Sequence, residues 1–379
     1  MLRRIYADNY RALVNFELKL GQINLFLGPN GSGKSAVFEV LRKLVNFVGG
    51  YGKVSDVFGS SDCTRWQDSC IQTFELEIAR EADVYKYELA IEHAREEAKL
   101  RVRHERLWLN NKPLIRFENF DKSDFQPEVQ LYRDDHSMGP RYPFDWSQSA
   151  LASIFPRKEN RHLTWFKERL QRVLVVAPVP QLMTEVSAQE EVRPSARLEN
   201  YASWYRYLSL DQQVVIRLNT SLREAMPEFD HFKFEPLGED HRLLRVHLRN
   251  SDGTGTIGYR FTELSEGQRT LIALYTLMAV SQTEGAGSYT LCLDEPENFL
   301  ALPEIQPWLT SLYDSCSEGE VQALVISHHP ELINYLLASP VGYWFERECN
   351  RPTRVKPIAA DDGSGLPISE LIARGWLRE

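Results

Sequence analysis

The segment GPNGSGKS, at residues 28–35, constrains the fold of this chain more than any other feature. It matches the pattern GxxxxGK(S/T) at every fixed position. The apolar run QINLFLGP (22–29) reads as a strand, and SAVFEVLRKLVNFV reads as a helix that is ended by Gly49 and Gly50. A strand, a glycine-rich turn and a helix in this order are the context of a phosphate-binding loop. The sequence therefore predicts an α/β fold with a phosphate site at this turn.

Each residue type in this loop suits one part of a nucleoside triphosphate. Gly28 and Gly33 allow the backbone to curl so that its N–H groups point at the β-phosphate. Lys34 brings a cation to the β- and γ-phosphate oxygens, and the hydroxyl of Ser35 is a ligand for Mg²⁺. We expect ATP contacts along the whole loop, at Asn30, Gly31, Ser32, Gly33, Lys34, Ser35 and Ala36.

Two adjacent carboxylates follow a later apolar strand, in LCLDEPEN at residues 291–298. Asp294 is placed to hold Mg²⁺ through its water shell, and Glu295 to polarise a water for in-line attack on the γ-phosphate. Such a pair is a weak signal when it stands alone. Downstream of an intact phosphate loop, it predicts the hydrolytic half of a nucleotide site, in which Glu295 and Lys34 are catalytic.

A histidine pair ends the next apolar strand, in VISHHP at residues 325–330. A side chain at this position can donate a hydrogen bond toward the γ-phosphate. We assign this role to His328, because it follows the strand directly, and keep His329 as the alternative.

A glutamine is expected to complete the Mg²⁺ shell and to respond to the nucleotide. Gln148 lies where the strand-rich segment passes into helix, and we assign it to the metal with Ser35 and Asp294. A surface glutamine near a helix start is the competing interpretation. The other candidates are Gln67, Gln72 and Gln171.

The remaining pattern divides into strand-rich and helical parts. Phe16, Leu18 and Leu20 alternate with polar residues, as in a half-buried strand. Three longer alternating runs predict an antiparallel sheet; they are TFELEIA (73–79), VYKYELAIEH (84–93) and KLRVRHERLWL (99–109). Residues 150–226 then favour helices, which we place at WFKERLQRVL, ASWYRYL and VVIRLNTSLREAM. Their helical spacing predicts that Trp204, Tyr205 and Leu208 are core residues rather than a ligand cage.

The C-terminal part alternates strands with helices and predicts a parallel, covered sheet. Its strands are RLLRVHLRN, SYTLCLDE, VQALVIS and one near YWFER. Its helices are residues 271–282 and 303–316, ELINYLL, and a short one at ISELIARGW.

Four motifs in this order, with DNYRAL (8–13) before them, resemble the ATP-binding cassette superfamily. They are GPNGSGKS, LSEGQ (264–268), LDEPEN and SHHPE, and the likeness is to the soluble branch of RecF, SMC and OLD-family ATPases. The match covers residues 1–50 and 255–345. The resemblance implies a P-loop core with a mixed or parallel sheet, an antiparallel β lobe and an inserted helical subdomain. It also suggests three domains, with bounds 1–150, 151–240 and 241–379.

In the family, two chains build each ATP site. The resemblance therefore implies a homodimer in which Ser265, Gly267 and Gln268 contact the ATP held by the partner's phosphate loop, at a helix N-terminus. Glu266 stands where the family has a second glycine. Arg11 resembles a residue that lies near the nucleotide base.

Two departures shape the expected function. The segment between Gly50 and Phe261 lacks the heptads of a coiled coil. We also expect the protein to lack the Toprim domain of OLD-type nucleases. FLALPEIQPWL also differs from the Leu-His-Pro of many OLD relatives. We therefore expect a Mg²⁺-dependent ATPase whose dimer controls a separate effector, a nuclease or a toxin, in anti-phage defence. The alternative is an ATP-gated DNA-binding, repair or scaffold protein.

Composition limits the other function classes. The net charge is −9, from 53 acidic and 44 basic residues, so DNA binding must rest on local clusters. Two candidate clusters are Arg101, Arg103 and Arg106, and Arg242, Arg245 and Arg249, although both also fit solvated strand faces.

Location follows from what the sequence lacks. Five cysteines without CxxC spacing fit reduced thiols. The longest apolar run, LIALYTLMAV, is shorter than the roughly 18 residues of a spanning helix. We expect a cytoplasmic protein without membrane contact. A transporter ATPase subunit is disfavoured because the helical segment between Gln148 and LSEGQ is unlike that of transporter cassettes in length and composition, and because DNYRAL resembles the soluble branch.

Overall fold

The computed structural model describes residues 1–93, 100–119, 127–251, 253–283, 288–329, 333, 342–358 and 370. The chain divides into two units. The first comprises Met1–Val173 and Val341–Ile358, and the second comprises Leu174–Pro340 and Ala359–Glu379. The domain bounds expected from the sequence stay a prediction.

Strands of the first unit carry the alternating pattern seen in the sequence. They are β1 (Leu2–Asp8), β2 (Phe16–Lys19), β3 (Ile23–Leu27), β4 (Ile71–Arg80), β5 (Asp83–His93), β6 (Leu100–Leu109), β7 (Lys112–Glu118), β8 (Glu128–Tyr132) and β9 (Met138–Pro143). All except β3 form one antiparallel sheet in the order β2-β1-β4-β5-β6-β7-β8-β9. Phe74, Leu76 and Ile78 are buried at alternate positions of β4, so one face of the sheet supplies core. The antiparallel β lobe predicted from the sequence is present.

The phosphate loop lies between β3 and the first helix. Every residue of β3 is buried, and α1 (Lys34–Gly49) begins directly after the loop. Gly50 ends α1 in a left-handed conformation, with its N–H bonded to Asn46 O and Phe47 O. The other helices of this unit are α2 (Val54–Val57) and α3 (Arg161–Gln171). Gln171 Nε2 donates to Val45 O at 2.9 Å and so joins α3 to α1.

The second unit contains the strand and helix alternation of the C-terminal part. Its strands are β10 (Val173–Val176), which starts at the unit boundary, β11 (Val186–Ser187), β12 (Phe229–Leu237), β13 (His241–Arg249), β14 (Thr256–Arg260), β15 (Tyr289–Asp294) and β16 (Val321–Ile326). Its helices are α4 (Tyr201–Leu208), α5 (Gln212–Ala225), α6 (Glu266–Ser281) and α7 (Leu302–Ser317). Strands β10, β15 and β16 are neighbours in that order, and β15 and β16 run parallel. Strands β11 to β14 form a separate antiparallel sheet.

The core of the second unit forms around α6, which is buried on all sides from Arg269 onward. Trp308 of α7 donates its indole N–H to Leu274 O at 3.1 Å, and the Tyr201 hydroxyl lies 2.9 Å from the Thr276 hydroxyl. Two further aromatic residues of α4, Trp204 and Tyr205, are buried as well. The interpretation of Trp204, Tyr205 and Leu208 as core residues is confirmed, because all three are buried.

The last strands of the described chain return to the first unit as a hairpin. It consists of β17 (Gly342–Glu346) and β18 (Arg354–Pro357), paired antiparallel, and β17 pairs β3 in parallel. The strand expected near YWFER is therefore confirmed.

One helix prediction was wrong at its end. WFKERLQRVL was expected to be helical throughout, but α3 ends at Gln171 and Val173 already belongs to β10. The run VLVV is rich in β-branched side chains, which favour a strand once neighbouring strands are present. The helix predicted at ELINYLL, apart from Ile333, and most of ISELIARGW lie outside the described residues. Within the described residues, no helix is long and apolar enough to cross a membrane.

Candidate active site

The phosphate loop has a backbone that only glycines can adopt at two positions. Gly28 has φ +136° and Gly33 has φ +108°. A Cβ atom at Gly28 would lie 2.1 Å from Phe345 O, and one at Gly33 would lie 2.4 Å from Thr353 Oγ1. Any other residue at these two positions would have a strained backbone, and its side chain would collide with neighbouring atoms. This is the tight curl expected of a loop whose N–H groups surround a phosphate.

Lys34 is the charged group of this loop. It is 5% exposed, and its Nζ donates to Gly28 O at 2.7 Å and to Pro29 O at 3.1 Å. The ammonium is therefore held under the loop, at the first turn of α1, where the helix dipole also favours an anion. Ser35 is exposed at the same turn. A buried cation and a hydroxyl at a helix N-terminus fit a Mg²⁺-bound polyphosphate.

The other predicted loop contacts differ in exposure. Asn30 and Gly31 are exposed at the tip, whereas Ser32 and Ala36 are buried. Ser32 Oγ is buried and has no hydrogen-bond partner among the described residues. An unsatisfied buried hydroxyl is costly in water-free surroundings, which fits a loop that makes further polar contacts when a ligand binds.

Arg11 lies beside α1 in the first unit. Its backbone is left-handed with φ +49°, and its guanidinium Nη1 lies 2.7 Å from Glu39 Oε2. Its backbone N–H donates to Asp62 O at 2.7 Å. The side chain is about half exposed, so it is accessible near the loop helix, and its contact with a nucleotide base stays a prediction.

The predicted catalytic carboxylate lies at the end of β15. Asp294 is the last residue of the strand, and Glu295 follows with φ +50°, a left-handed conformation that is uncommon for glutamate. Its backbone N–H donates to Ile326 O at 2.9 Å, which fixes this turn to β16. Asn298 Nδ2 donates to Glu295 Oε2 at 2.7 Å. The carboxylate is therefore oriented while 40% of its side chain stays exposed.

The structure brings His328 to this carboxylate. His328 Nε2 lies 3.7 Å from Glu295 Oε1, because β15 and β16 are parallel neighbours whose carboxyl ends meet at one edge. His328 is exposed, whereas His329 is half-buried and its N–H donates to the Ser327 hydroxyl at 3.1 Å. This placement supports the choice of His328, whose catalytic role stays a prediction.

A third carboxylate, missed in the sequence, joins these two segments. Glu297 is 8% exposed, and its Oε1 accepts from Ser327 Oγ at 2.5 Å and from the His328 backbone N–H at 3.3 Å. Its Oε2 is buried and accepts no hydrogen bond from the part of the chain that the structure describes. Glu297 belongs to the motif LDEPEN, but its burial could not be predicted. A turn has no regular spacing of apolar residues that would distinguish buried from exposed side chains.

The signature segment forms the N-terminus of α6. Ser265 is the N-cap, and its Oγ accepts from the Gln268 N–H at 3.2 Å while Gln268 Oε1 accepts from the Ser265 N–H at 3.0 Å. Ser265 and Glu266 are exposed, so this helix end is open to a ligand from outside the chain. A Cβ at Gly267 would lie 2.9 Å from Phe299 O, which explains the glycine by close backbone packing.

Gln148 lies in the first unit, after β9. It is exposed, and its Nε2 lies 3.4 Å from Asp145 Oδ2. Two of the other candidate glutamines use their side-chain amides in hydrogen bonds within the protein. Gln72 Nε2 donates to Asn9 O at 3.0 Å, and Gln171 Nε2 donates to Val45 O of α1. The metal role of Gln148 stays a prediction.

The segment of Gln148 is anchored by Glu105, a fully buried carboxylate on β6. Glu105 accepts from Ser149 Oγ at 2.7 Å and from the Ala150 N–H at 2.6 Å. The Tyr87 hydroxyl donates to it at 2.8 Å. Burial raises the pKa of Glu105, while these hydrogen bonds oppose the rise.

The two arginine clusters proposed from sequence are largely ion-paired within their own sheets. Arg101 Nε lies 3.1 Å from Glu92 Oε2, and Arg106 Nη2 lies 2.8 Å from Glu118 Oε1. In the second unit, Arg245 pairs with Glu235 and Arg249 with Asp230. These pairs neutralise much of the charge that DNA phosphates would require.

Comparison with known proteins identifies the family. A family model described as "AAA domain, putative AbiEii toxin, Type IV TA system" matches residues 23–334. The chain belongs to this family. The matched range of the AAA-domain family contains the phosphate loop, the signature segment, both carboxylates of LDEP and His328. No curated protein matches the chain.

Solved structures identify the fold. One, described as "Crystal structure of the SmcHead bound to the C-winged helix domain of ScpA", has a TM-score of 0.54 at 10% identity, with 94% of this chain and 98% of that chain covered. Another, an SMC head domain from Thermotoga maritima, has a TM-score of 0.47 at 14% identity, with 94% and 99% covered. The likeness to the SMC head that is bound to the ScpA domain, together with the mixed sheets described above, confirms the predicted fold class of an ABC-type P-loop core.

Proposed function

We propose that this AAA-family chain binds MgATP and hydrolyses it to ADP and phosphate. The observation that supports this most is the position of Glu295, held in a left-handed turn at the end of a buried parallel strand and 3.7 Å from His328. A non-glycine residue is kept in such a turn only where the surroundings impose it. The turn presents the carboxylate outward, as a general base for water requires.

Each group of site residues has a separate role in the proposed reaction. Lys34 and the loop N–H groups bind the phosphates, and Ser35, Asp294 and Gln148 are the residues that would hold Mg²⁺. When bound there, the metal ion would supply positive charge that offsets the negative charge developing on the phosphate oxygens. Glu295 orients the attacking water and takes its proton. His328 stabilises the γ-phosphate by hydrogen bonding and keeps Glu295 in position.

The exposed signature supports a dimer. Ser265 and Glu266 are exposed at the N-terminus of a helix of 16 residues, the end that favours an anion. We propose that two copies dimerise around ATP, with Ser265, Gly267 and Gln268 of one copy contacting the ATP bound by the other.

We further propose that the dimer controls a separate effector in the cytoplasm, in anti-phage defence. The family description names a toxin and a toxin–antitoxin system, and the solved SMC head is described as bound to a domain of ScpA. Both support an ATPase that acts on a partner protein. The effector that fits this role is a nuclease or a toxin.

Phosphate release and ATP binding, measured on the same variants, test the enzymatic part. Glu295→Gln should retain MgATP binding and lose phosphate release by about 10²-fold or more, because the general base is removed. Lys34→Ala should lose MgATP binding, since the buried cation is gone.

Glu320→Gln is the matched control, because this glutamate is exposed after α7 and away from the site motifs. It should behave as wild type. Phosphate release that is unchanged in both Glu295→Gln and Lys34→Ala would refute the enzymatic proposal.

A further inference from the structure

The turn between β17 and β18 lies against the phosphate loop, although it is outside the residues that the family model matches. That match ends at residue 334, and the hairpin starts at Gly342. Three of its residues touch the loop. Phe345 O occupies the space beside Gly28, Thr353 the space beside Gly33, and Arg347 Nη1 lies 3.5 Å from Gly31 O.

Thr353 makes the strongest of these contacts. It is 5% exposed, and its hydroxyl donates to Ser32 O at 2.8 Å. Its own backbone N–H donates to Ala12 O at 2.9 Å, which fixes the residue from the other side. A buried hydrogen bond from a fixed residue restricts the carbonyl that it contacts.

Arg347 adds a second, more exposed contact. Its guanidinium lies 4.9 Å from the centroid of the Trp66 ring, and its Nε donates to Arg351 O at 3.1 Å. Stacking on an aromatic ring orients the planar guanidinium and keeps its charge at the loop tip.

We propose that this hairpin turn is part of the nucleotide site, with Thr353 as a positioning residue that holds the phosphate loop in its binding conformation. The loop needs such support because Gly28, Gly31 and Gly33 all have positive φ. Glycine adopts positive and negative φ about equally, so these residues do not by themselves hold the loop in one conformation. Without the bond to Ser32 O, the loop populates other conformations. A smaller fraction of the protein molecules is then in the conformation that binds the ligand, and the apparent affinity falls in proportion to that fraction. This inference rests on the ATP binding proposed above.

Calorimetric titration of the full chain with MgATP and with magnesium tripolyphosphate tests the role of Thr353. Thr353→Val keeps the shape and removes the hydroxyl. We expect the Kd to rise about 3- to 10-fold, which corresponds to the free energy that one buried hydrogen bond contributes. The rise should be equal for the two ligands, because both present magnesium and a triphosphate chain to the loop. Thr353→Ser restores the hydroxyl and should stay within about twofold of wild type.

Arg347→Gln provides a second variant that does not touch the buried core, should Thr353→Val fold poorly. Arg347→Gln should also weaken the binding of MgATP and of magnesium tripolyphosphate to the same extent. Lys356→Gln is the control on the same hairpin, because Lys356 is exposed and forms an ion pair with Glu346 of β17. It should bind as wild type does.

The results separate this inference from the proposed function. If wild type binds MgATP and Lys34→Ala does not, but Thr353→Val and Arg347→Gln both bind as wild type, the hairpin inference is wrong. A loss confined to MgATP, with tripolyphosphate binding unchanged, also overturns it. If wild type itself binds no MgATP, the proposed function fails first.

Discussion

At the scale of single residues, the site depends on side chains held by short hydrogen bonds in turns. Glu295 could be identified from the sequence, because adjacent carboxylates after an apolar strand form a recognisable motif. Glu297, Thr353 and Arg347 could not. Their importance comes from contacts with residues distant in sequence, such as the 2.8 Å bond from Thr353 to Ser32 O, and no local pattern encodes such a contact.

Glu297 offers a direct test at this scale. Its carboxylate anchors Ser327 and the backbone of His328, so Glu297→Ala should let the histidine segment shift. We expect kcat for phosphate release to fall about 10- to 100-fold with KM for ATP little changed, because a misplacement near 1 Å can cost about 10²-fold. Steady-state kinetics measures both values.

Glu297→Gln is the matched control for this prediction. The amide oxygen still accepts from Ser327 and His328, so its kcat should stay much closer to wild type. Equal kcat values for wild type and Glu297→Ala, in a preparation where Glu295→Gln is inactive, would show that Glu297 does not position the histidine.

At the scale of elements, periodicity predicted most long strands and helices correctly. Strands β4, β5 and β6 and helices α1, α5 and α7 lie within a few residues of their expected bounds. Helix α6 was expected at 271–282 but begins earlier, at Glu266, because Ser265 caps it. The short strands β8 and β9, which lie at one end of the antiparallel sheet, were missed because few of their residues are buried and alternation is weak. The error at β10 arose from a valine-rich run that joins a strand only through tertiary pairing.

Helix α6 shows how packing can reverse a local preference. In an exposed helix, Gly→Ala stabilises by about 0.5–1 kcal/mol. At Gly267 the new Cβ would lie 2.9 Å from Phe299 O, a backbone atom that cannot rotate away. We expect Gly267→Ala to destabilise the protein by about 1–3 kcal/mol, as overpacking does. Urea denaturation measures this free energy of unfolding.

Glu266→Ala, one residue earlier in the same helix, is the comparison. Its side chain is exposed, so the change should be small. A Gly267→Ala variant that is more stable than wild type would mean that the helix start does not pack against the turn after β15.

At the scale of the whole molecule, the order of motifs along the chain predicted the family and the fold. GPNGSGKS and LDEPEN each lie in a strand-to-helix connection, which the structure reproduces at β3 and β15. The resemblance predicts that the exposed end of α6 contacts ATP bound by a second copy, and this homodimer stays a prediction. The sequence does not identify the effector, because none of the motifs describes a surface for a different protein.

Mixing two inactive variants tests most directly whether each ATP site is built from two copies. Lys34→Ala removes the phosphate loop cation, and Ser265→Arg blocks the signature. Each variant alone should release almost no phosphate from MgATP. In an equal mixture, random pairing makes half of the dimers mixed, and each mixed dimer has one intact site of two, so about one quarter of the wild-type rate should return. A Ser265→Arg protein that is fully active alone, or a mixture that stays inactive, would contradict the account.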